Sequence, residues 1–154
     1  MTKGICASAA CTALVAASTI AGAILGGSTA SAATLAQSWY AQAPYVMPLD
    51  NDPPAIASVM AASGEKAFML AFILANGSSC SAAWDGTAPV SSDTAVANYI
   101  STIRSNGGDV SVSIGGYGGT KLRQVCSSPQ TTAAAYQAVV DKHSLKAMDF
   151  ALEE

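Results

Sequence analysis

Charged side chains are scarce in this chain of 154 residues, of which only 11% are Asp, Glu, Lys or Arg, whereas globular domains average about a quarter. Seven basic and ten acidic residues give a net charge of −3. A protein of this charge lacks the basic surface that binds nucleic acid, so we predict no nucleic-acid partner. The length allows one domain with a core of its own.

Histidine is nearly absent, since the chain contains one, His143. A single histidine, with no CxxC or HxxxH spacing, argues against a metal site and supports neither a Ser-His-Asp nor a Cys-His arrangement. The glycine-rich segment that ends at Gly119 matches neither GxGxxG nor GxxxxGK[ST]. We therefore predict no metal and no cofactor. We interpret His143 as a favourable positive charge near a helix C-terminus.

The first 32 residues have the layout of a secretory signal peptide. Lys3 precedes a long run of small and apolar residues, and Ala30-Ser31-Ala32 supplies an A-x-A cleavage site. The alternative is an N-terminal membrane anchor, which the shortage of Leu and Ile disfavours. We expect an extracellular protein whose mature domain comprises residues 33–154. No later segment is long and apolar enough to predict a membrane span.

Cleavage after Ala32 would leave the mature chain with two cysteines, Cys80 and Cys126. An isolated pair in an exported protein favours one disulfide. It would close a loop of roughly 45 residues and stabilise the fold by a few kcal/mol.

Apolar runs alternate with helical patterns along the mature chain. Strands are predicted over Trp39–Met47, Lys66–Leu74, Asp109–Ile114 and Ala147–Glu153. Helices are predicted over Ala55–Ser63, Ser91–Ser105 and Gln130–His143, with a loop over Ala75–Pro89. Such alternation is typical of α/β folds with parallel βα units. It fits an open doubly wound sheet or half of a (β/α)₈ barrel, which usually needs about 250 residues.

Two acids share one face of the last predicted strand. The residues of that strand alternate in character, with Met148, Phe150 and Leu152 on one face and Asp149, Ala151 and Glu153 on the other. A solvated strand end is the plain explanation. The functional interpretation makes Glu153 a general acid at the C-terminal mouth of a sheet, with Asp149 deeper below it.

Small and aromatic residues supply the other candidates for a binding site. Ser113-Ile114-Gly115-Gly116 ends the third strand, at the edge where α/β proteins bind ligands, although a tight turn explains these glycines equally simply. Exposed aromatic rings would suit the faces of sugar rings, although ordinary packing explains each ring singly. The aromatic candidates for substrate binding are Trp39, Tyr45 and Tyr117.

Together these motifs resemble glycoside hydrolase family 18, the chitinases. Ser113-Ile114-Gly115-Gly116 is similar to the family's SxGG motif, and Asp149–Glu153 to the second half of its DxxDxDxE motif. The resemblance covers roughly residues 39–153 and implies the N-terminal half, four βα units, of a (β/α)₈ TIM barrel. The implied substrate is chitin or a chitooligosaccharide. The implied mechanism is substrate-assisted and retaining, with Glu153 as the acid and Asp149 in support.

The sequence departs from the family pattern at several positions. Lys146 replaces the first motif aspartate, Ala151 replaces the middle one, and Glu154 stands where a small residue is usual. The middle aspartate orients the substrate acetamide in the family, so Ala151 is expected to lower turnover. Strands five to eight of a barrel are also absent from the sequence, which we expect to impair activity further.

Two other classes of function stay open on the sequence. One is a catalytically inactive relative that still binds chitin through its aromatic residues. The other is a self-contained flavodoxin-like domain of four strands with no affinity for chitin. If the fourth strand is an open edge, we also expect self-association through it.

Overall fold

The computed structural model describes residues 35–153, and the predicted signal peptide lies outside them. In chain order the elements are α1 (Gln37–Ala41), β1 (Tyr45–Val46), α2 (Ile56–Ser63), β2 (Ala67–Asn76), β3 (Ser79–Trp84), β4 (Ala88–Pro89), α3 (Ala95–Ser105), β5 (Asp109–Gly115), α4 (Leu122–Val125), α5 (Pro129–His143) and β6 (Met148–Ala151). The fold is mixed α/β, with one six-stranded sheet. No helix in the described range is long and apolar enough to cross a membrane.

The sheet has a parallel part and an antiparallel extension. Strand β2 pairs in parallel with β1 and β5, and β5 pairs in parallel with β6. The antiparallel hairpin of β3 and β4 pairs with the C-terminal half of β2. The parallel pairing was expected from the sequence. The division into four βα units of a barrel stays a prediction.

Most of the predicted helices and strands are present, and their ends follow from local chemistry. Gly64 ends α2 in the left-handed conformation, with φ of 76°. The Asp93 carboxylate accepts hydrogen bonds from the backbone N–H groups of Ala95 and Val96 and so caps α3. The Ser128 hydroxyl caps α5, and Pro129 occupies its first turn.

The predicted first strand is wrong over much of its length. Within Trp39–Met47, the first three residues belong to helix α1, and only Tyr45 and Val46 form a strand. The Tyr40 hydroxyl donates a 2.7 Å hydrogen bond to Asp109 at the beginning of β5. A tertiary anchor of this kind outweighs the weak strand preference of aromatic residues.

The predicted loop Ala75–Pro89 is also wrong, because it contains the β3–β4 hairpin. Asn76 pairs with Ser79 across a two-residue Gly77-Ser78 turn, in which Gly77 has φ of 57°. Gly-Ser between two strands is a recognised hairpin signal. The Cys80–Cys126 disulfide expected from the sequence is present and joins β3 to the end of α4.

The two faces of the parallel strands differ in polarity. Val46, Leu70, Val112 and Met148 lie in register, and they belong to or pack against the apolar core with residues of α2, α3 and α5. The alternating positions carry polar side chains on β5 and β6, among them Ser111, Ser113 and Asp149. The fold therefore presents a row of polar groups on the face away from the helices.

A buried and fully paired charge lies at the amino end of this sheet. Asp109 is 0% exposed, accepts the Tyr40 hydroxyl hydrogen bond, and forms an ion pair with Arg104 at 2.9 Å. Arg104 also donates to the Ser144 carbonyl at 3.4 Å. Burial, followed by the hydrogen bond to Asp109, raises the pKa of Tyr40 to about 12, so its hydroxyl stays a donor.

Candidate functional site

A hydrogen-bonded triad of Tyr45, Ser113 and Asp149 occupies the polar face of the sheet. The Tyr45 hydroxyl and the Ser113 hydroxyl each donate to Asp149 Oδ2 at 2.7 Å. Ser113 is buried and Asp149 is half-buried, whereas Tyr45 is 54% exposed. The triad therefore holds a carboxylate in a fixed orientation at a surface that a ligand can reach.

Strand register explains how residues distant in sequence form this triad. Ser113 is the direct neighbour of Asp149 across the parallel pairing of β5 and β6. Tyr45 reaches the same oxygen from β1, on the far side of β2. Burial, followed by the hydrogen bond to Asp149, raises the pKa of Tyr45, which keeps its hydroxyl protonated as a donor.

Gly115 and Gly116 bring two strands and an aromatic ring into close contact. Their φ angles are 110° and 85°, and the Gly116 N–H donates to the Ala151 carbonyl at 3.0 Å. A Cβ at Gly116 would lie 3.1 Å from the Phe72 ring, and one at Gly115 would collide with the Ala151 carbonyl oxygen. Both positions therefore require glycine.

Tyr117 projects from the glycine-rich loop that follows β5. Its side chain is 83% exposed. The Lys121 ammonium fixes the loop by donating hydrogen bonds to the carbonyls of Tyr117, Gly118 and Gly119. The loop thus presents an aromatic ring to solvent on a backbone held by a single cation.

Glu153 lies just beyond the last strand. Strand β6 ends at Ala151, earlier than the predicted end at Glu153, and the Leu152 N–H turns back to the Phe150 carbonyl. Glu153 is exposed and borders a small cleft together with Lys121 and Arg123. The strict alternation expected for Asp149, Ala151 and Glu153 therefore stops at Ala151.

Trp39 lies apart from the other candidate residues. It lines a surface cleft with Ser38, Gln42 and Glu65, on the segments that precede β1 and β2. The triad lies further along these parallel strands, so the structure does not bring Trp39 to Tyr45, Ser113 or Tyr117. A role for Trp39 in substrate binding stays a prediction.

Sequence reasoning missed a second aromatic residue at the site, Phe72. Its ring lies 6.0 Å from the Tyr45 ring, between centroids, and touches Gly116. Tyr45 and Phe72 line a cleft of about 400 Å³ together with Asp50 and Asn51. Phe72 gave no signal in the sequence because it belongs to an apolar run that is mostly buried.

His143 differs from its interpretation as a helix-terminal charge. It ends α5 but is only 4% exposed, and its ring lies 5.7 Å from that of Trp84. Burial, followed by the positive charges of Lys142 and Arg104, lowers its pKa to about 4. The side chain is neutral at pH 7, so this interpretation was wrong.

Within residues 35–153 no cluster of three or more His, Cys, Asp or Glu side chains is arranged to hold a metal ion. The polar groups of the triad instead have the chemistry to orient a neutral polar ligand beside aromatic rings. Such a combination of apolar walls and a few convergent polar groups is typical of small-molecule sites.

Comparisons with known proteins point to one family. A protein of Escherichia coli K12 described as a probable bifunctional chitinase/lysozyme is 32% identical over 115 residues, which are 74% of this chain and 13% of that protein. Active domain 2 of the Pyrococcus furiosus chitinase is 32% identical, with a TM-score of 0.63 over 73% of this chain and 36% of that domain's chain. No protein-family model matches the chain.

A further structure of the Pyrococcus furiosus domain was determined with chito-oligosaccharides bound. It is 30% identical, with a TM-score of 0.62 over 70% of this chain and 35% of that one. The chain thus spans about a third of the length of these solved domains and about an eighth of the Escherichia coli protein.

Proposed function

This chain belongs to the chitinase-like glycoside hydrolases of family 18. We propose that the protein is secreted and that this chain carries part of a site that binds and cleaves chitin. The substrate is a chain of β-1,4-linked N-acetylglucosamine units. The reaction is hydrolysis of the bond between two of these units, by a substrate-assisted mechanism that retains the anomeric configuration.

In this mechanism Glu153 is the acid. Its carboxyl group transfers a proton to the glycosidic oxygen as the bond from that oxygen to the anomeric carbon breaks. The acetamido oxygen of the sugar unit that contains this anomeric carbon forms a new bond to it, giving a cyclic cation. Water, deprotonated by Glu153, then opens this intermediate.

The observation that carries the proposal is the orientation of Asp149. Two hydroxyl groups, from Tyr45 and Ser113, donate to the same oxygen of its carboxylate. A carboxylate held in this way on the strand that leads to Glu153 suits the supporting role that the resemblance implies for Asp149. Preorganised groups of this kind act without the cost of reorientation during the reaction.

Ala151 weakens this arrangement. It lies between Asp149 and Glu153, where the family motif has a second aspartate, and a methyl group cannot orient the acetamide. Loss of an interaction made in the transition state lowers kcat more than substrate affinity. The second candidate function is therefore binding of chitin without cleavage, and Ala151 is the observation that favours it.

One pair of variants distinguishes hydrolysis from binding. We expect the wild-type chain to bind chitohexaose in calorimetry and to hydrolyse it slowly. Ala151→Asp should raise kcat about 100-fold or more, because it restores a transition-state contact. Glu153→Gln in the Ala151→Asp background is the matched control, since it should abolish turnover and preserve binding.

The outcomes separate cleanly. Binding by the wild type with no turnover in either the wild type or Ala151→Asp would favour the binding protein. If neither form binds or cleaves chitohexaose, the proposed site is wrong.

A further inference from the structure

Strand β2 contains a bulge where it passes the candidate site. Leu70 pairs with Val112 and Ile73 with Ile114, so β2 takes three steps while β5 takes two. Two residues of β2, Ala71 and Phe72, therefore correspond to the single residue Ser113 of β5, and neither has a partner in the β2–β5 pairing. A bulge redirects a side chain, and here it places the Phe72 ring beside Tyr45 and Gly116.

The bulge frees the backbone groups of Phe72 from the pairing with β5, and Asp85 satisfies both of them. The Asp85 N–H donates to the Phe72 carbonyl at 3.0 Å. The Phe72 N–H donates to Asp85 Oδ1 in a longer hydrogen bond of 3.5 Å. Asp85 therefore hydrogen-bonds to both the backbone N–H and the backbone carbonyl of Phe72.

The turn that carries Asp85 is held in an uncommon conformation. Asp85 follows β3 and has φ of 49°, in the left-handed region. The pairing of Trp84 with Ala88 and a hydrogen bond from the Thr87 N–H to the Trp84 carbonyl fix the turn on both sides. Such conformations persist where the surrounding structure determines them, and they are common at functional sites.

We propose that Asp85 is a positioning residue for the sugar site, which acts through the backbone of Phe72 to hold this ring between Tyr45 and Gly116. The ring then forms an aromatic wall of the cleft beside the triad. This inference rests on the function proposed above for its ligand, chitooligosaccharide. The position of the ring itself does not depend on that function.

The variants Asp85→Gly and Asp85→Asn isolate the carboxylate. Glycine removes the side-chain acceptor but keeps the backbone N–H and favours the positive φ, so the turn is expected to fold. Asparagine keeps an acceptor oxygen for the Phe72 N–H. Asp141→Ala, at an exposed position on α5, is a control for the loss of one negative charge.

Affinity for chitohexaose, measured by calorimetry, gives the first readout. Asp85→Gly should weaken binding about tenfold, the size expected for one lost hydrogen bond, whereas Asp85→Asn and Asp141→Ala should stay within about threefold of the wild type. In a Phe72→Ala background Asp85→Gly should have no further effect. An undiminished effect in that background would show that Asp85 does not act through Phe72.

Nuclear Overhauser effects between the Phe72 ring protons and the Gly116 α-protons give a second readout without any ligand. They should be present in the wild type and Asp85→Asn, and weakened in Asp85→Gly. Their full retention in Asp85→Gly would overturn the inference. Failure of the wild type to bind chitohexaose would instead count against the proposed function, while the ring contact would still decide the role of Asp85.

Discussion

Two tyrosine–carboxylate pairs with the same hydrogen-bond length lie in very different surroundings in this sheet. Tyr40 donates to Asp109 and Tyr45 to Asp149, both at 2.7 Å. Asp109 is fully buried and neutralised by Arg104, whereas Asp149 is half-buried and accepts from the hydroxyl of Ser113. The same pair of groups therefore serves as a closed structural contact in one place and as an open site in the other.

The difference lies in the third partner. A guanidinium ion balances the charge of a carboxylate that water cannot reach, and the carboxylate then has a purely structural role. A serine hydroxyl orients the carboxylate but leaves its negative charge available to a ligand. Charge compensation, more than hydrogen-bond geometry, therefore distinguishes the two pairs.

The largest expected effect comes from removing that compensation. Arg104→Met should lower the free energy of unfolding by about 3–5 kcal/mol, because Asp109 would be left as an unpaired buried charge. Urea denaturation measures the change, with Arg123→Met at an exposed position as the control. A loss below about 1 kcal/mol would mean that Asp109 finds other compensation, and that the two carboxylates do not differ in their dependence on a cation.

A smaller effect is expected from the tyrosine hydroxyls themselves. Tyr40→Phe should cost about 1.5–3 kcal/mol, since it leaves one oxygen of a buried carboxylate without its donor. Tyr45→Phe should cost less than about 1 kcal/mol, because water can replace its hydroxyl. Thermal unfolding of the two variants side by side tests this. Equal losses of stability would show that water does not replace the Tyr45 hydroxyl at the triad.

A third effect is the response of buried His143 to acid. Burial, followed by the positive charges of Lys142 and Arg104, lowers the pKa of His143 to about 4 in the folded chain. The unfolded chain, with a pKa near 6.5, binds more protons between these values. The stability that depends on a neutral His143 should thus be complete above about pH 6.5 and should fall by about 2 kcal/mol as the pH drops to about 5.

Urea denaturation at a series of pH values measures this slope, with His143→Leu as the control that removes the titrating group. The slope between about pH 6.5 and 4 should be reduced in the variant. An unchanged slope would assign the acid sensitivity to carboxyl groups elsewhere.

The sequence predicted much of the sheet and part of the site. Helix α3 and strand β5 follow from a capping aspartate, an apolar pattern and a glycine stop, which are local signals. Ser113 and Asp149 lie on two strands that the sequence predicted, and their direct pairing is a finding of the structure. The strands themselves could be predicted because parallel βα units leave an alternating pattern in the sequence.

Other features depend on contacts that no local pattern contains. Trp39 and Tyr40 have the composition of a strand, yet they form part of a helix anchored through Asp109, a residue 69 positions away from Tyr40. The role of Phe72 depends on a bulge, and the role of Asp85 on the turn of a hairpin that was expected to be a loop. Long-range pairing decided these cases, and a single sequence carries little information about it.

The disulfide between Cys80 and Cys126 has a consequence for the chain before it folds. With a sequence separation of 46 residues, the bond closes a covalent ring that contains the turn at Asp85, all of β5 and the glycine-rich loop. A closed ring of this size removes about 4 kcal/mol of conformational entropy from the unfolded ensemble in the chain-entropy description. The unfolded molecule therefore keeps Asp85 and Gly116 within one small loop, and these two residues need search only a restricted volume to reach their places around Phe72.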